Sequence, residues 1–308
     1  MPLISRDMES RIVLDESTLK HSFAEVEPGV RLHYVEAGEG PLVVLLHGFP
    51  EFWYAWRKQI GALVAAGFRV VAPDQRGYNL SDKPEAVRAY GMKRLVDDVA
   101  ALIVDRGETK AFVVGHDWGA GVAWAFAMRH PERLVRLAIL NGPHPARFIA
   151  GLRSFEQLAK SWYMFFFQLP KLPEAVMHLD GFAMIMRSFD EASRPNAFDE
   201  RDRARYVEAF SQPGAMTAMI DWYRAMFRSG TAVRIAKIEA PILVLWGERD
   251  PHLGRELATP PSELVPNARV VFLPNATHWI QHEEPERVNE ELVAFFRAFD
   301  NPGNEATV

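Results

Sequence analysis

From residue 21 to about residue 142, short uninterrupted apolar runs alternate with segments that have the apolar spacing of helices. Apolar runs of strand length are typical of strands buried on both faces, and their alternation with helices is typical of a parallel sheet covered by helices. The Pro28-Gly29 pair predicts a hairpin near the start. The predicted strands comprise residues 23–26, 31–36, 41–46, 68–72, 111–115, 134–140, 241–246 and 269–273.

This alternation stops at Pro143-His144-Pro145 and resumes at residue 241. The intervening stretch is rich in aromatic residues and methionine, has helical character, and is interrupted by several prolines. We interpret it as a helical cap inserted into one α/β domain. The predicted division is 1–143 for the first part of the core, 144–230 for the cap, 231–300 for the second part of the core and 301–308 for a flexible tail. Core helices are predicted over residues 53–66, 94–106, 119–128 and 285–299.

Composition and charge narrow the classes of partner. The formal charge of -5, with no basic run, argues against nucleic acid or an anionic membrane, so we expect a small, largely apolar ligand. There is no cysteine, hence no disulfide and no thiolate metal site. The charged first thirty residues lack the apolar core of a signal peptide, and the longest apolar runs are too short to span a membrane, so we expect cytoplasmic residence. The oligomeric state stays open, with a homo-oligomer as one option.

The most informative segment is a buried strand that turns directly into a helix at Asp117. Such a turn strains its central residue, so the flanking positions must be small, and Gly115 and Gly119 lie two residues on either side. The following helix places its positive end near Asp117 and favours the ionised carboxylate, which can attack carbon without a base. An Asp that merely caps the helix is the commoner case, and the turn alone leaves that alternative open.

Two later loops carry the partners that such a nucleophile requires. A strand-to-helix nucleophile of this kind is followed along the chain by an acid after a late strand and a histidine after the last strand. Glu248 and Asp250 both follow the strand at residues 241–246, and His278 follows the last strand. A histidine oriented by a carboxylate can deprotonate water.

Two aromatic segments of the predicted cap complete the pattern. Tyr163 lies a few residues before Phe167-Gln168-Leu169-Pro170, and Tyr223 lies within Trp222-Tyr223-Arg224. With the His47-Gly48-Phe49-Pro50-Glu51 loop and the Asp117 turn, these segments make the chain resemble the epoxide hydrolases of the α/β-hydrolase fold, which are related to the haloalkane dehalogenases. The resemblance extends from residue 41 to residue 285 and implies an eight-stranded, mostly parallel sheet with an inserted helical cap.

The resemblance also implies roles for individual residues. Asp117 would attack an epoxide carbon, Tyr163 and Tyr223 would protonate the ring oxygen, and His278 with Asp250, favoured over Glu248, would hydrolyse the ester. The backbone N–H groups of Phe49 and Trp118 would form an oxyanion hole, and His47 and the loop at residues 74–78 would be structural. Substrate would contact three aromatic side chains, Phe49, Trp162 and Trp222.

Three alternatives remain. A haloalkane dehalogenase uses the same Asp and His but needs two side-chain N–H donors for the halide, which Trp118 with Trp162 or Trp222 could supply. A fluoroacetate-type dehalogenase carries Arg at the position of Trp118, and a non-catalytic binding protein would have no need of the complete set of Asp, His and acid.

His278 and His282 are spaced like zinc ligands, but Trp279 stands where a zinc peptidase needs Glu, so we predict no metal and no cofactor.

Overall fold

A computed structural model of the protein describes residues 16–229 and 234–299. These residues contain eight strands: β1 (Lys20–Glu27), β2 (Val30–Ala37), β3 (Leu42–Leu46), β4 (Arg69–Pro73), β5 (Ala111–His116), β6 (Leu134–Leu140), β7 (Ile242–Gly247) and β8 (Ala268–Leu273). They form one sheet in the order β1-β2-β4-β3-β5-β6-β7-β8. Strands β1 and β2 form the predicted hairpin; β2 pairs antiparallel with β4, and all later neighbours are parallel.

Helices of the core connect these strands and cover the sheet. All four predicted core helices are present, with ends shifted by a few residues and with the first one beginning as a 3-10 turn at Trp53–Trp56. They are α1 (Arg57–Ala65), α2 (Met92–Asp105), α3 (Trp118–Arg129) and α12 (Pro285–Arg297), and a short α11 (Ile280–Glu283) precedes the last of them.

In the described residues between β6 and β7 lie seven α-helices, which we call the inserted helices. No strand occurs in the described part of this segment, as the sequence predicts. The predicted boundary at residue 230 and the predicted tail at residues 301–308 lie outside the described residues. The inserted helices are α4 (Pro145–Gly151), α5 (Phe155–Lys160), α6 (Trp162–Phe166), α7 (Leu172–His178), α8 (Ala183–Ala192), α9 (Glu200–Phe210) and α10 (Ala215–Arg228).

The centre of the sheet is the apolar core of the molecule. Every residue of β3, β5 and β7 is buried, because helices cover both faces of these parallel strands. This predicts that their carboxyl ends, which open into loops at one edge of the sheet, carry the functional groups. Over the residues that the structure describes, no helix is both long and apolar enough to cross a membrane.

Candidate active site

Asp117 occupies a strained turn between β5 and α3. Its backbone has φ 50° and ψ −118°, a region that residues other than glycine rarely adopt. A Cβ atom at Gly115 would lie 2.4 Å from the Gly119 carbonyl oxygen, and one at Gly119 would lie 2.2 Å from the Leu46 carbonyl oxygen. Only glycine fits at either position, and this close packing is what allows the turn to hold Asp117 at the end of the sheet.

The loop after β3 approaches Asp117 from the other side. A Cβ atom at Gly48 would lie 2.4 Å from Cβ of Asp117, so the glycine lets the loop pack directly against the carboxylate. The Phe49 N–H donates a hydrogen bond of 2.8 Å to Oδ1 of Asp117. Trp118 is the first residue of α3, where backbone N–H groups have no partner within the helix.

His278 lies between Asp117 and Asp250. Its Nε2 is 3.5 Å from Oδ2 of Asp117, and its Nδ1 is 2.7 Å from Oδ2 of Asp250. The side chains of His278 and Asp250 are 3% and 1% exposed, whereas that of Asp117 is 20% exposed. The carboxylate in the turn is therefore the member of this group that a ligand can reach most easily.

The structure separates the two candidate acids. Glu248 forms an ion pair with Arg255, whereas Asp250 binds His278. Backbone N–H groups of His252 and Leu253 donate to Oδ1 of Asp250 at 2.8 and 3.0 Å. Asp250 thus has the geometry of the orienting acid.

Asn141 was missed by the sequence analysis. Its side-chain amide donates to Oδ2 of Asp250 at 2.7 Å and accepts from the Gly247 N–H at 2.9 Å. The residue directly follows β6, at the same edge of the sheet as Asp117. A polar residue at the carboxyl end of a buried parallel strand was the available signal.

The three charged groups shift each other's pKa. Burial alone would lower the pKa of His278, but the negative charges of Asp250 and Asp117 raise it to about 10. Burial would raise the pKa of both carboxyls, but the positive charge of His278 and its hydrogen bonds lower that of Asp250 to about 2 and that of Asp117 below its ordinary value. At neutral pH Asp117 is therefore ionised.

Tyr163 and Tyr223 come together across the inserted helices, with ring centroids 5.8 Å apart. Burial, followed by nearby charges, raises the pKa of both hydroxyls, so both stay protonated and can donate. The motif residues that flank them connect α6 with α10. Gln168 donates to the Tyr223 carbonyl oxygen at 3.1 Å, and Arg224 donates to the Phe167 carbonyl oxygen at 3.0 Å.

A cavity of about 610 Å³ joins Asp117 to the inserted helices. Asp117, Phe49, Tyr163, Tyr223 and His278 all line it, and so does Trp162, which is exposed. Most of the remaining wall is apolar. Its other lining residues are Pro50, Ala159, Lys160, Phe166, Phe167, Met177, Met184, Ile185, Ser188, Glu191, Ala192, Pro251, His252 and Trp279.

Trp222 does not reach this cavity. Its indole N–H donates to the Arg76 carbonyl oxygen at 2.9 Å and its ring packs against Tyr78 and Trp118. We therefore correct the expectation that Trp222 binds substrate, because helix α10 directs Tyr223 and its neighbour Trp222 to different sides.

His47 is buried and tied to the neighbouring loop after β4. Its Nε2 accepts the Gln75 N–H at 3.0 Å, and its carbonyl oxygen accepts the Gln75 side-chain amide. Burial lowers the pKa of its imidazole, which is consistent with a neutral, structural group. In the same way Asp74 accepts the Trp53 N–H at 3.0 Å, within the loop expected to be structural.

A buried polar network around Glu51 lies behind the site and was also missed. Its carboxylate is within hydrogen-bond distance of His116, at 3.0 Å, and of His282, at 2.7 Å, and it accepts from the hydroxyl of Tyr206 on α9 at 2.9 Å. His116 in turn lies 2.9 Å from the His278 carbonyl oxygen. This network, the Glu51 network, connects an inserted helix to the loop that carries His278.

Comparison with known proteins identifies the class. Residues 41–285 match the family model described as the alpha/beta hydrolase fold, so the chain belongs to that family. A Bacillus subtilis protein named AB hydrolase superfamily protein YfhM is 44% identical over 273 residues, covering 87% of this chain and 95% of that protein.

Further matches narrow the family. Epoxide hydrolase 4 of Homo sapiens is 36% identical over 303 residues, covering 95% of this chain and 83% of that protein. A crystal structure of a Bacillus megaterium epoxide hydrolase with an inhibitor superimposes with a TM-score of 0.81 at 32% identity, covering 90% of this chain and 100% of that one. Within the α/β-hydrolase fold, the chain belongs to the epoxide hydrolase family.

Proposed function

We propose that the protein converts an epoxide and water to a vicinal diol through a covalent ester on Asp117. The observation that carries the proposal is the placement of an ionised, accessible carboxylate in one cavity with two protonated tyrosines and a histidine. A nucleophile, acids for the leaving oxygen and a base for water are the groups that this reaction requires.

In the first step Oδ2 of Asp117 attacks an epoxide carbon. Oδ1 is held by the Phe49 N–H, which leaves Oδ2 as the attacking atom. The C–O bond of the ring breaks, and the ring oxygen takes a proton from Tyr163 or Tyr223. Both hydroxyls suit this role, because burial keeps them protonated while the epoxide oxygen gains negative charge.

Forming the ester removes the negative charge of Asp117, one of the charges that raise the pKa of His278, so this pKa falls. The imidazolium can then return a proton to the tyrosinate left by the first step, which gives the neutral imidazole that the second step requires.

In the second step neutral His278 takes a proton from water, whose oxygen bonds to Cγ of the Asp117 ester. The Cγ–Oδ2 bond then breaks, Oδ2 leaves as a hydroxyl of the diol with the other proton of that water, and Asp117 keeps the water oxygen in its carboxylate. Asp250 supports the positive charge that His278 then acquires. The N–H groups of Phe49 and Trp118 stabilise the oxyanion on Oδ1.

The dehalogenase alternative fits the geometry less well. The Trp222 N–H is already bound to a carbonyl oxygen, which leaves Trp118 and Trp162 as indole donors. The Trp162 side chain is 58% exposed, a poor setting for holding a halide against water. Two protonated tyrosines in the cavity, in contrast, have a direct role in opening an epoxide.

We further propose that the inserted helices act as the cap predicted for residues 144–230, between core parts 1–143 and 231–300. They contribute Tyr163, Tyr223 and most of the apolar cavity wall, which suits a largely apolar epoxide. A solved structure of the Bacillus megaterium enzyme contains a naphthyloxy-propane-1,2-diol as its product, and a cavity of about 610 Å³ accommodates an epoxide of that kind.

The experiment that tests this function uses two substrates. Purified protein is incubated separately with styrene oxide and with 1-bromobutane, and the diol and bromide produced are measured. We expect diol from the epoxide and no bromide above the no-enzyme background, with Asp117→Asn as the inactive control. Bromide without diol would instead identify a dehalogenase, and neither product from any of several epoxides and haloalkanes would favour a non-catalytic protein.

A further inference from the structure

His252 is a second histidine in the cavity, and the mechanism does not use it. It follows Asp250 by two residues in the loop after β7. Its N–H donates to Oδ1 of Asp250 at 2.8 Å, and its carbonyl oxygen accepts from the buried Gln157 side chain at 2.9 Å. Gln157 also accepts the Gly254 N–H at 3.1 Å. The backbone on both sides of His252 is therefore held in place, so the loop presents the imidazole in a defined position.

The imidazole of His252 lies next to the reacting groups. Its ring centroid is 5.4 Å from that of His278 and 6.0 Å from that of Tyr163, with both contacts edge-to-face. It lines the cavity, and none of the hydrogen bonds found among the described residues involves its ring nitrogens. A substrate atom near Asp117 can therefore approach His252 as well.

Charge and chemistry limit what His252 does there. Burial lowers the pKa of its imidazole, and the neighbouring positive charge of His278 lowers it further, so the ring is neutral at neutral pH. A neutral imidazole has one donor and one acceptor nitrogen. Among the other polar side chains of the cavity, Lys160 pairs with Glu156, the Ser188 hydroxyl donates to the Ile185 carbonyl oxygen, and Glu191 is exposed. The indole N–H groups of Trp162 and Trp279 also lie in the wall, but an indole can only donate, whereas the His252 ring can also accept.

We propose that His252 is a specificity-determining residue that hydrogen-bonds an ether or hydroxyl oxygen on the carbon next to the epoxide ring. The inference rests on the proposed function, because it concerns the substrate of that same site. An oxygen at this position lies close enough to the ring for Tyr163 and His252 to bind neighbouring oxygens at once. The enzyme accordingly favours glycidyl-type epoxides over hydrocarbon epoxides of the same size.

The test compares two epoxides that differ by one group. Phenyl glycidyl ether and (2-phenylethyl)oxirane have the same length, with an ether oxygen in the first replaced by CH2 in the second. We measure kcat/KM for each and take the ratio, ether over hydrocarbon, for wild type and variants. Comparing ratios between proteins cancels the intrinsic difference in reactivity of the two epoxides.

His252→Phe keeps an aromatic ring without a hydrogen-bonding group, and we expect it to lower the ratio about tenfold, mainly through KM of the ether. His252→Gln restores a donor and an acceptor and is expected to recover most of the ratio. Ser188→Ala removes a different polar group of the cavity and should leave the ratio at the wild-type value. Circular dichroism verifies that each variant is folded.

The outcomes separate this inference from the proposed function. A wild type that hydrolyses both epoxides, with an unchanged ratio in folded His252→Phe, overturns the role of His252 and leaves the function intact. An equal loss of kcat/KM on both epoxides also overturns this role, since His252 would then act on Asp117, His278 or Asp250 and not on the ether oxygen. A wild type that forms diol from neither epoxide counts against the proposed function itself.

Discussion

At the scale of single residues, the proposed mechanism divides the work between groups that act in different steps. Asp117 is ionised before substrate arrives, and the Phe49 N–H, which also lowers its pKa, does not depend on His278. His278 is needed as a base only after the ester has formed. Removing His278 should therefore block ester hydrolysis and leave ester formation, whereas removing a tyrosine should slow ester formation.

The first prediction is that the covalent ester on Asp117 accumulates when His278 is removed. His278→Gln should still allow Asp117 to attack, so we expect one equivalent of epoxide to attach covalently with at most trace diol. Intact-mass spectrometry should show the added mass of one substrate, located by digestion to a peptide containing Asp117. Asp117→Ala is the matched control and should show no adduct. If folded His278→Gln stays unmodified under excess epoxide, the two-step scheme is wrong.

The second prediction concerns the acids that open the ring. Tyr163→Phe and Tyr223→Phe should each slow ester formation roughly 30- to 1000-fold, the value of one hydrogen bond to a developing alkoxide, about 2–4 kcal/mol. The double variant should be nearly inactive. Single-turnover stopped-flow fluorescence measures the step directly. Turnover of the double variant at the wild-type rate would remove both tyrosines from the mechanism.

At the scale of elements, the site depends on how closely two loops approach at the carboxyl edge of the sheet. Gly48, after β3, leaves no room for a side chain beside Asp117. Gly121, in the second turn of α3, has space, since an added Cβ would meet only Cε of Met92, at 3.9 Å. The two glycines form a matched pair, one inside the site and one just behind it.

The third prediction uses this pair. Gly48→Ala should displace the Asp117 carboxylate and lower kcat/KM by at least about 100-fold, because a shift of about 1 Å at a reacting group has that effect. Gly121→Ala should keep activity and raise the free energy of unfolding by roughly 0.5–1 kcal/mol, as alanine favours a helix interior. Enzyme kinetics and urea unfolding measure both. Near-normal activity of Gly48→Ala would contradict the close approach.

At the scale of the whole molecule, the Glu51 network connects the inserted helices to the core beneath the site. Glu51 is completely buried, and its partners come from α9, α11 and the end of β5. Burial would raise its pKa, but His282 and His116 hold it well below the ordinary value, so the carboxylate stays charged. Because a buried charge that loses a partner is strongly destabilising, each hydrogen bond to Glu51 contributes to the stability of the fold.

The fourth prediction concerns the loss of one hydrogen-bond partner of Glu51. Tyr206→Phe deletes the hydroxyl that donates to Glu51 and should lower the free energy of unfolding by about 1.5–3 kcal/mol, the range for a hydrogen bond to a charged group. Ser211→Ala, which deletes an exposed hydroxyl just after the same helix, should change it by less than about 0.5 kcal/mol. Urea unfolding compares the two variants. Equal stability of Tyr206→Phe and wild type would show that the network contributes nothing to holding α9.

The sequence by itself determined the strands of the sheet and the order along the chain of the nucleophile, the acid and the histidine. Buried parallel strands are continuous apolar runs, so the central strands β3 to β7 were predictable, and the Pro28-Gly29 pair indicated the antiparallel β1–β2 hairpin. The glycines around Asp117 indicated its turn, because only glycine fits there. Tertiary structure alone decided which side chains meet. Glu248 and Asp250 are both carboxylates of the loop after β7, and the path of that loop brings only Asp250 to His278.

The same dependence on tertiary structure explains why the role of Trp222 was predicted wrongly and why Asn141 and Glu51 were missed. Trp222 and Tyr223 are neighbours in one matched motif, but successive residues of a helix point about 100° apart, so only Tyr223 reaches the cavity. The partners of Glu51 are far from one another along the chain, and no local pattern marks them. Asn141 is marked by its place at the end of β6, but only the loop after β7 gives it a partner in Asp250. Their roles arise from packing between distant elements, since a buried polar group acquires its function from the partners that the fold brings to it.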